Sequence, residues 1–515
     1  MSEKTYSDRA SLPKQAIGKI IEYNKGDGFK LLNVHEVFVR ALRRLSSFSG
    51  QRIFDLSRRT HRKRELGETT MKNFVRLNSI SDIQKLQVTR WKLVVAVCVV
   101  AASWKWTPGI FAGPKQTFKV EGYVHPAFEE VKEVFRENLA SGREKGASFS
   151  VYHQGKALVD IWGGLANPTT GALWQENTLS QAWSCTKGIA AFILAILVDR
   201  GLLDYNERVI KYWPEFGQNE KADITIGVLF SHQAGVVSLG RQISLLEYRD
   251  NWPEIERMLA AAKPEWVPGT HYMYHAYTFG MYADAIVRKV DLKHRNISQF
   301  FRDEIAEPYG IDYYIGLPFD QNHRSTKAEY TSMLRLFFST VVFRPDRWLW
   351  FPEALMRSRF QDSVSVLDIY DDMSAMEDSE LRSVGLSSMV GFGNARGLAR
   401  LYDYIGNNGT VQGKRLVSEK QMGYLVKAAT AGVPVIIAPD FDFTMGLIDA
   451  TIHGHRIVGH NGYGGQSAFA DVSNGFGVGY VTNFNSQFAD TFDPRVLDLT
   501  QALYNGIAKY KSTKT

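Results

Sequence analysis

Cysteine is scarce: 515 residues contain only Cys98 and Cys185. This excludes a disulfide framework, and without a C-x-x-C pair no thiolate zinc site can be placed. Histidines and carboxylates do not cluster at ligand spacing, so neither a metal nor any other cofactor is expected. No internal repeat appears, which argues against solenoids and propellers. Long apolar runs are also missing. "LVVAVCVVAA" (93–102) has ten apolar residues, where a helix crossing a bilayer takes about 20.

A large surplus of charge of one sign is missing from most of the chain. The formal net charge is +7. Residues 1–92 hold 20 Lys and Arg against 9 Asp and Glu, a balance of +11 that leaves −4 for residues 93–515. A nucleic-acid partner would rest on this arm alone, and none is expected. "HRKRE" (61–65) reads as a nuclear signal or, more simply, as a solvated charge run.

The ten-residue apolar run is flanked by Trp91, Trp104 and Trp106, with Arg90 and Lys92 upstream. Interfacial tryptophans and snorkelling lysines would extend it. Three readings stand: a signal-anchor helix, a cleaved signal segment, and a core strand rich in valine. The first sets the expectation of a membrane-associated, single-pass chain with its body luminal; a mitochondrial location is the alternative. The expected organisation is a basic arm (1–90), a membrane-anchor or signal candidate (91–106), a linker (107–124) and a folded domain (125–512). Sequons at Asn296 and Asn408 would be modifiable in a lumen.

In the body, "HPAFEEVKEVFRENLASGR" (125–143) has apolar residues at helical spacing. "ASFSVYHQGKALVDIWGGLA" (147–166) alternates on both sides of Gln154-Gly155, predicting a hairpin. Residues 187–200 predict a buried helix. Residues 240–310 are mostly helical, broken at Pro268-Gly269, and "FGNARGLARLYDYIGNNG" (392–409) is a helix with a glycine stop. "SAFADVSNGFGVGYVTN" (467–483) predicts a second hairpin turning at Asn474-Gly475, and 493–510 a closing helix. Strands at both ends with helices between predict an α/β fold: an antiparallel-rich sheet flanked by helices, plus a mostly helical insertion.

"QAWSCTKGIAAFILAILVDRG" (181–201) places Ser184 and Lys187 at the mouth of an apolar helix. Residues i and i+3 share a helix face. A serine hydroxyl becomes nucleophilic when a neighbouring base takes its proton, and a desolvated lysine can be that base. Read alone, the pair is equally an N-cap serine with a surface lysine one turn later. "SLPK" at Ser11–Lys14 has the same spacing and is assigned no chemistry. Cys185 reads as a buried filler.

Two further stretches follow in order: "PGTHYMYHAYTFG" (268–280) and "VGHNGYGGQSAFAD" (458–471). With "HQAGV" (232–236) and "NARGLARLY" (394–402), these resemble the serine β-lactamase-related family over roughly 125–510. That group includes class C β-lactamases, D-alanyl-D-alanine peptidases and β-lactamase-type esterases. The resemblance implies a β-lactamase/transpeptidase-like fold, with Ser184 as nucleophile, Lys187 as proton-handling partner, and Tyr274 as general base and then acid. It implies an oxyanion hole from the N–H groups of Ser184 and Tyr463, with His460, Gly462, Gly464 and Gly465 lining the substrate strand. Ala276 stands where the lactamase Y-x-N pattern has Asn, and His460 where K-T-G has Lys. A neutral imidazole holds a carboxylate less firmly than an ammonium, which favours small esters or amides over antibiotics. His460 is alternatively a core histidine, and the glycines a plain turn. His232 and His275 read as structural, Tyr272 and Tyr277 as packing.

The expected activity is therefore a serine hydrolase working through an acyl-enzyme, with a small ester or amide as partner; a homo-oligomer is left open. The alternative is a non-catalytic, membrane-tethered scaffold or filament subunit that keeps the fold.

Overall fold

The computed structural model describes residues 117–330, 365–371, 373–436, 441–485 and 492–512. Its order begins with edge strand β1 (Val120–Val124) and helix α1 (Glu129–Ala140), followed by β2 (Gly146–His153) and β3 (Lys156–Asn167). Gln154 and Gly155, both at positive φ (51° and 77°), form the turn between β2 and β3. Such turns match the right-handed twist of the strands they join. Helix α2 (Cys185–Asp199) follows, then α3 (Thr278–Val290) and α4 (Ala395–Gly406). The chain returns through β4 (Asp442–Phe443), β5 (Ile448–Ile452), β6 (His455–Asn461), β7 (Ser467–Asp471), β8 (Phe476–Thr482) and β9 (Phe484–Asn485), and closes with α5 (Pro494–Ser512).

The main sheet runs β1-β3-β2-β8-β7-β6-β5-β4. These pairs are antiparallel. The N-terminal and C-terminal hairpins therefore meet at β2 and β8, with Val151 opposite Val478. Both faces are covered, so β8 is buried at every residue. Phe476, Val478 and Tyr480 point into a core shared with α1 and α5. Gly477 and Gly479 face α4. A Cβ on Gly477 would lie 2.2 Å from Ala399 O, and one on Gly479 2.3 Å from Ala395 O. The alternation of large apolar residues and glycine in "FGVGYV" thus lets a helix lie directly on the strand. Asp403 of α4 then accepts from the N–H groups of Gln154 (3.0 Å) and Gly155 (2.6 Å), hooking the first hairpin onto the same helix.

Helix α2 is apolar all round, as a helix buried on every side must be, and Cys185 through Leu197 are all buried. It packs against α3 and β6. This layering is the expected α/β fold with an antiparallel-rich sheet.

The membrane placement expected from sequence is corrected. Among the described residues no helix is long and apolar enough to cross a membrane. The segment that prompted it, 91–106, lies outside the described residues. Its physical shortfall is length: ten residues of helix rise about 15 Å against some 30 Å of hydrocarbon. The membrane partner, the signal-anchor and the single-pass location are not carried further.

Candidate active site

Ser184 sits at the N-cap of α2, half-buried, but its side chain makes no capping hydrogen bond. The hydroxyl instead lies 3.1 Å from Lys187 Nζ. Lys187 is 0% exposed, so it is not a surface lysine one turn along. Its amine donates to Ser388 O at 2.7 Å. Burial holds its pKa well below the usual lysine value, because an ammonium there would lose its hydration.

The residue before the serine is strained. Trp183 has φ +48°, and an L-residue with a bulky side chain there costs on the order of 1–2 kcal/mol. Its buried indole sits edge-on to the Tyr463 ring, centroids 5.5 Å apart. Strain at this point turns the chain sharply from the short strand Ser180–Gln181 into α2, leaving Ser184 at the corner.

Tyr274 arrives from the loop after Pro268-Gly269. Its ring lies beneath the Lys187 amine, 4.8 Å from Nζ to centroid, and stacks at 4° on Phe443, centroids 6.0 Å apart. Its phenol oxygen is buried without a hydrogen bond of ordinary geometry. Burial raises the phenol pKa, and the nearby Ser184 hydroxyl offsets part of that rise.

His460, on β6, is 3% exposed, its ring 5.8 Å from that of Tyr274. Nδ1 pairs with Asn461 O at 2.8 Å, while Nε2 is buried and unpaired. Burial first, then the Lys187 charge, push its pKa down to about 3. It is therefore neutral across the physiological range.

Sequence reading gave His232 no site role, yet its ring lies 5.2 Å from that of Tyr274 and 4.3 Å from that of Phe443. It sits at φ +64° and its Nδ1 accepts from His275 N at 3.1 Å. Burial keeps it neutral. His275 donates from Nδ1 to Met273 O at 2.7 Å. Among the described residues no group of three or more His, Cys, Asp or Glu is placed to hold a metal. His232, Phe443 and Ser388 O support the site, but only the "HQAGV" phrase marked any of them locally.

The glycine-rich turn after β6 closes on itself. Gly462 N donates to Gln466 O (2.7 Å) and Gly465 N to Gly462 O (3.1 Å). Gly464 N donates to Gln466 Oε1 at 3.0 Å. A Cβ on Gly462 would lie 2.6 Å from Ala182 O, so this turn presses against the segment that leads into Ser184. The sequence thus gathers Ser184, Lys187, Tyr274, His460 and the Gly462–Gly465 turn, with Tyr463 inside it, around one corner.

A partly accessible serine beside a buried lysine amine is the arrangement of a serine hydrolase. The comparisons agree. The family model described as Beta-lactamase matches residues 131–502. The "Esterase/beta-lactamase LipL" of Mycobacterium tuberculosis is 30% identical over 383 residues, 72% of this chain and 84% of that protein. Among solved structures, a family VIII carboxylesterase aligns with TM-score 0.66 at 31% identity, covering 75% of this chain and all (100%) of that one. A penicillin-binding protein homologue from Caulobacter crescentus gives 0.65 at 28% identity, with coverage of 75% and 100%. EstA from Arthrobacter nitroguajacolicus gives 0.62 at 26% identity, with coverage of 75% and 98%. The chain belongs to the beta-lactamase family of serine hydrolases.

Proposed function

We propose that the protein hydrolyses small, uncharged esters, and more slowly amides, through an acyl-enzyme on Ser184. The observation that carries this reading is the 3.1 Å approach of a fully buried Lys187 amine to the Ser184 hydroxyl. Burial disfavours the charged form of this amine; it donates one N–H to Ser388 O, and in its uncharged form its lone pair takes the serine proton. Ser184 Oγ attacks the carbonyl carbon as its proton passes to Lys187 Nζ. The carbonyl oxygen becomes an oxyanion facing the N–H groups of Ser184 and Tyr463. Collapse breaks the bond to the leaving oxygen, which takes a proton from the neutral Tyr274 phenol, and Lys187 returns its proton to Tyr274. Water then attacks the acyl carbon as Lys187 takes its proton, and when the bond from the acyl carbon to Ser184 Oγ breaks, Lys187 returns that proton to Oγ. The raised phenol pKa supports Tyr274 as the acid rather than the first base.

Substrate class follows from charge. The strand position beside the Tyr274 ring carries His460, neutral because it is buried, and Ala276 offers no amide. Neither group favours a carboxylate. The carboxylesterase and esterase names of the relatives support the same class.

The test is labelling of the full chain with a fluorophosphonate probe. The wild type takes up one label and Ser184→Ala takes none, with its fold retained by circular dichroism. Absence of label on a folded wild type would overturn the reading and leave a non-catalytic protein of this fold.

A further inference from the structure

Both main-chain arms of the proposed oxyanion pocket meet at one side-chain oxygen. Asn485 Oδ1 accepts from Trp183 Nε1 at 3.4 Å and from Gln466 Nε2 at 3.1 Å. Trp183 is the strained residue directly before Ser184. Gln466 in turn holds the residues on either side of Tyr463: its main-chain oxygen takes Gly462 N and its side-chain oxygen takes Gly464 N. Gln466 Nε2 also donates to Thr482 O at 3.1 Å. The three side chains are 1–2% exposed.

The directions of these bonds are fixed by chemistry. An indole N–H only donates, so Asn485 must present its oxygen to Trp183. A main-chain carbonyl only accepts, so Gln466 must present its nitrogen to Thr482 and its oxygen to Gly464. There is no slack in the packing. A Cβ on Gly464 would lie 1.6 Å from Asn485 Oδ1, so the turn is seated directly on the asparagine.

We infer that Asn485 is a positioning residue for the reaction: by bridging Trp183 and Gln466 it sets the separation of the Ser184 and Tyr463 N–H groups. This rests on the reading that those two groups bind the oxyanion. Asn485 touches no reacting atom. Its effect is geometric, because oxyanion donors act over a narrow distance range and a displacement of about 1 Å can cost on the order of a hundredfold in rate.

The experiment measures the acylation rate of a nitrophenyl ester per active site, with sites counted by end-point fluorophosphonate titration. Asn485→Ala is expected to slow acylation per titrated site by about tenfold to a hundredfold, with substrate binding changed by less than about threefold. Asn485→Asp keeps the shared acceptor oxygen and should recover most of the loss. Trp183→Phe removes the indole N–H together with the five-membered ring that carries it, and should cost about threefold to tenfold. Should Asn485→Ala fail to fold, Trp183→Phe decides. A purely structural role would lower the melting temperature and the titrated fraction, but not the rate per site. Variants that acylate within twofold of wild type per site would overturn the inference while leaving the hydrolase reading intact. A wild type that never acylates at Ser184 would overturn both.

Discussion

Lys187 Nζ stands 3.1 Å from Ser184 Oγ with none of its own surface exposed. A surface lysine at this spacing would be protonated at neutral pH and unable to take a proton. Burial lowers the pKa of Lys187, and the consequence is read in a pH profile. Lys187 is the base only when uncharged, so acylation rises with pH as the amine loses its proton, then levels off. Its pKa is lowered from the usual lysine value, so the rising limb falls well below pH 10.5. Lys187→Met should abolish that limb and reduce kcat/KM by about 10²–10⁴. A limb centred near the ordinary lysine value would contradict the assignment.

Tyr274 is expected to matter in proportion to how badly the leaving group needs a proton. Tyr274→Phe keeps the stack on Phe443 and removes only the phenol. Hydrolysis of alkyl esters should fall by about a hundredfold, that of nitrophenyl esters much less, because nitrophenolate leaves without help. Equal losses on both would assign the phenol another role.

His460 gives a test of substrate charge. Since its pKa is pushed down to about 3, no inflection from this residue should appear between pH 5 and 8. His460→Arg places a guanidinium, which keeps its charge even when buried, at that strand position. The ratio of kcat/KM for a carboxylate-bearing ester over its neutral analogue should rise by about tenfold or more. An unchanged ratio would mean that this residue does not face the substrate.

The contact of α4 with β8 is open to a stability measurement. Gly477→Ala puts a methyl 2.2 Å from both Ala399 O and Asp403 N. Main chain cannot rotate aside, so the helix must shift, at a cost of about 1–3 kcal/mol in urea unfolding. The Asp403 hook on the first hairpin should loosen with it, seen as faster amide exchange at Gln154 and Gly155. Wild-type stability in this variant would show that the helix has room to move.

Much of this architecture was legible in local patterns. Gln154-Gly155 and Asn474-Gly475 marked hairpin turns because few residues accept positive φ. The apolar run after Ser184 marked a helix buried all round, and the i, i+3 spacing put Lys187 beside the serine. The surroundings of Tyr274 were not legible. His232 and Ser388 come from loops and Phe443 from the short strand β4, all far apart in the chain, and no periodicity records which segments meet. Nor does spacing show that Lys187 is dry or that Asn485 lies between Trp183 and Gln466. The apolar stretch at 93–102 misled in the other direction, since hydrophobicity and flanking tryptophans suggested a membrane anchor where length was insufficient.

The central claim is a covalent bond to Ser184, and its most direct measurement is the mass of the trapped intermediate. The full chain is mixed with a nitrophenyl ester, quenched in acid within the first turnover, and digested. The account predicts a burst of one nitrophenol per chain, with the acyl mass on the peptide that contains Ser184. Hydrolysis without a burst, or the acyl group on any other residue, would contradict it.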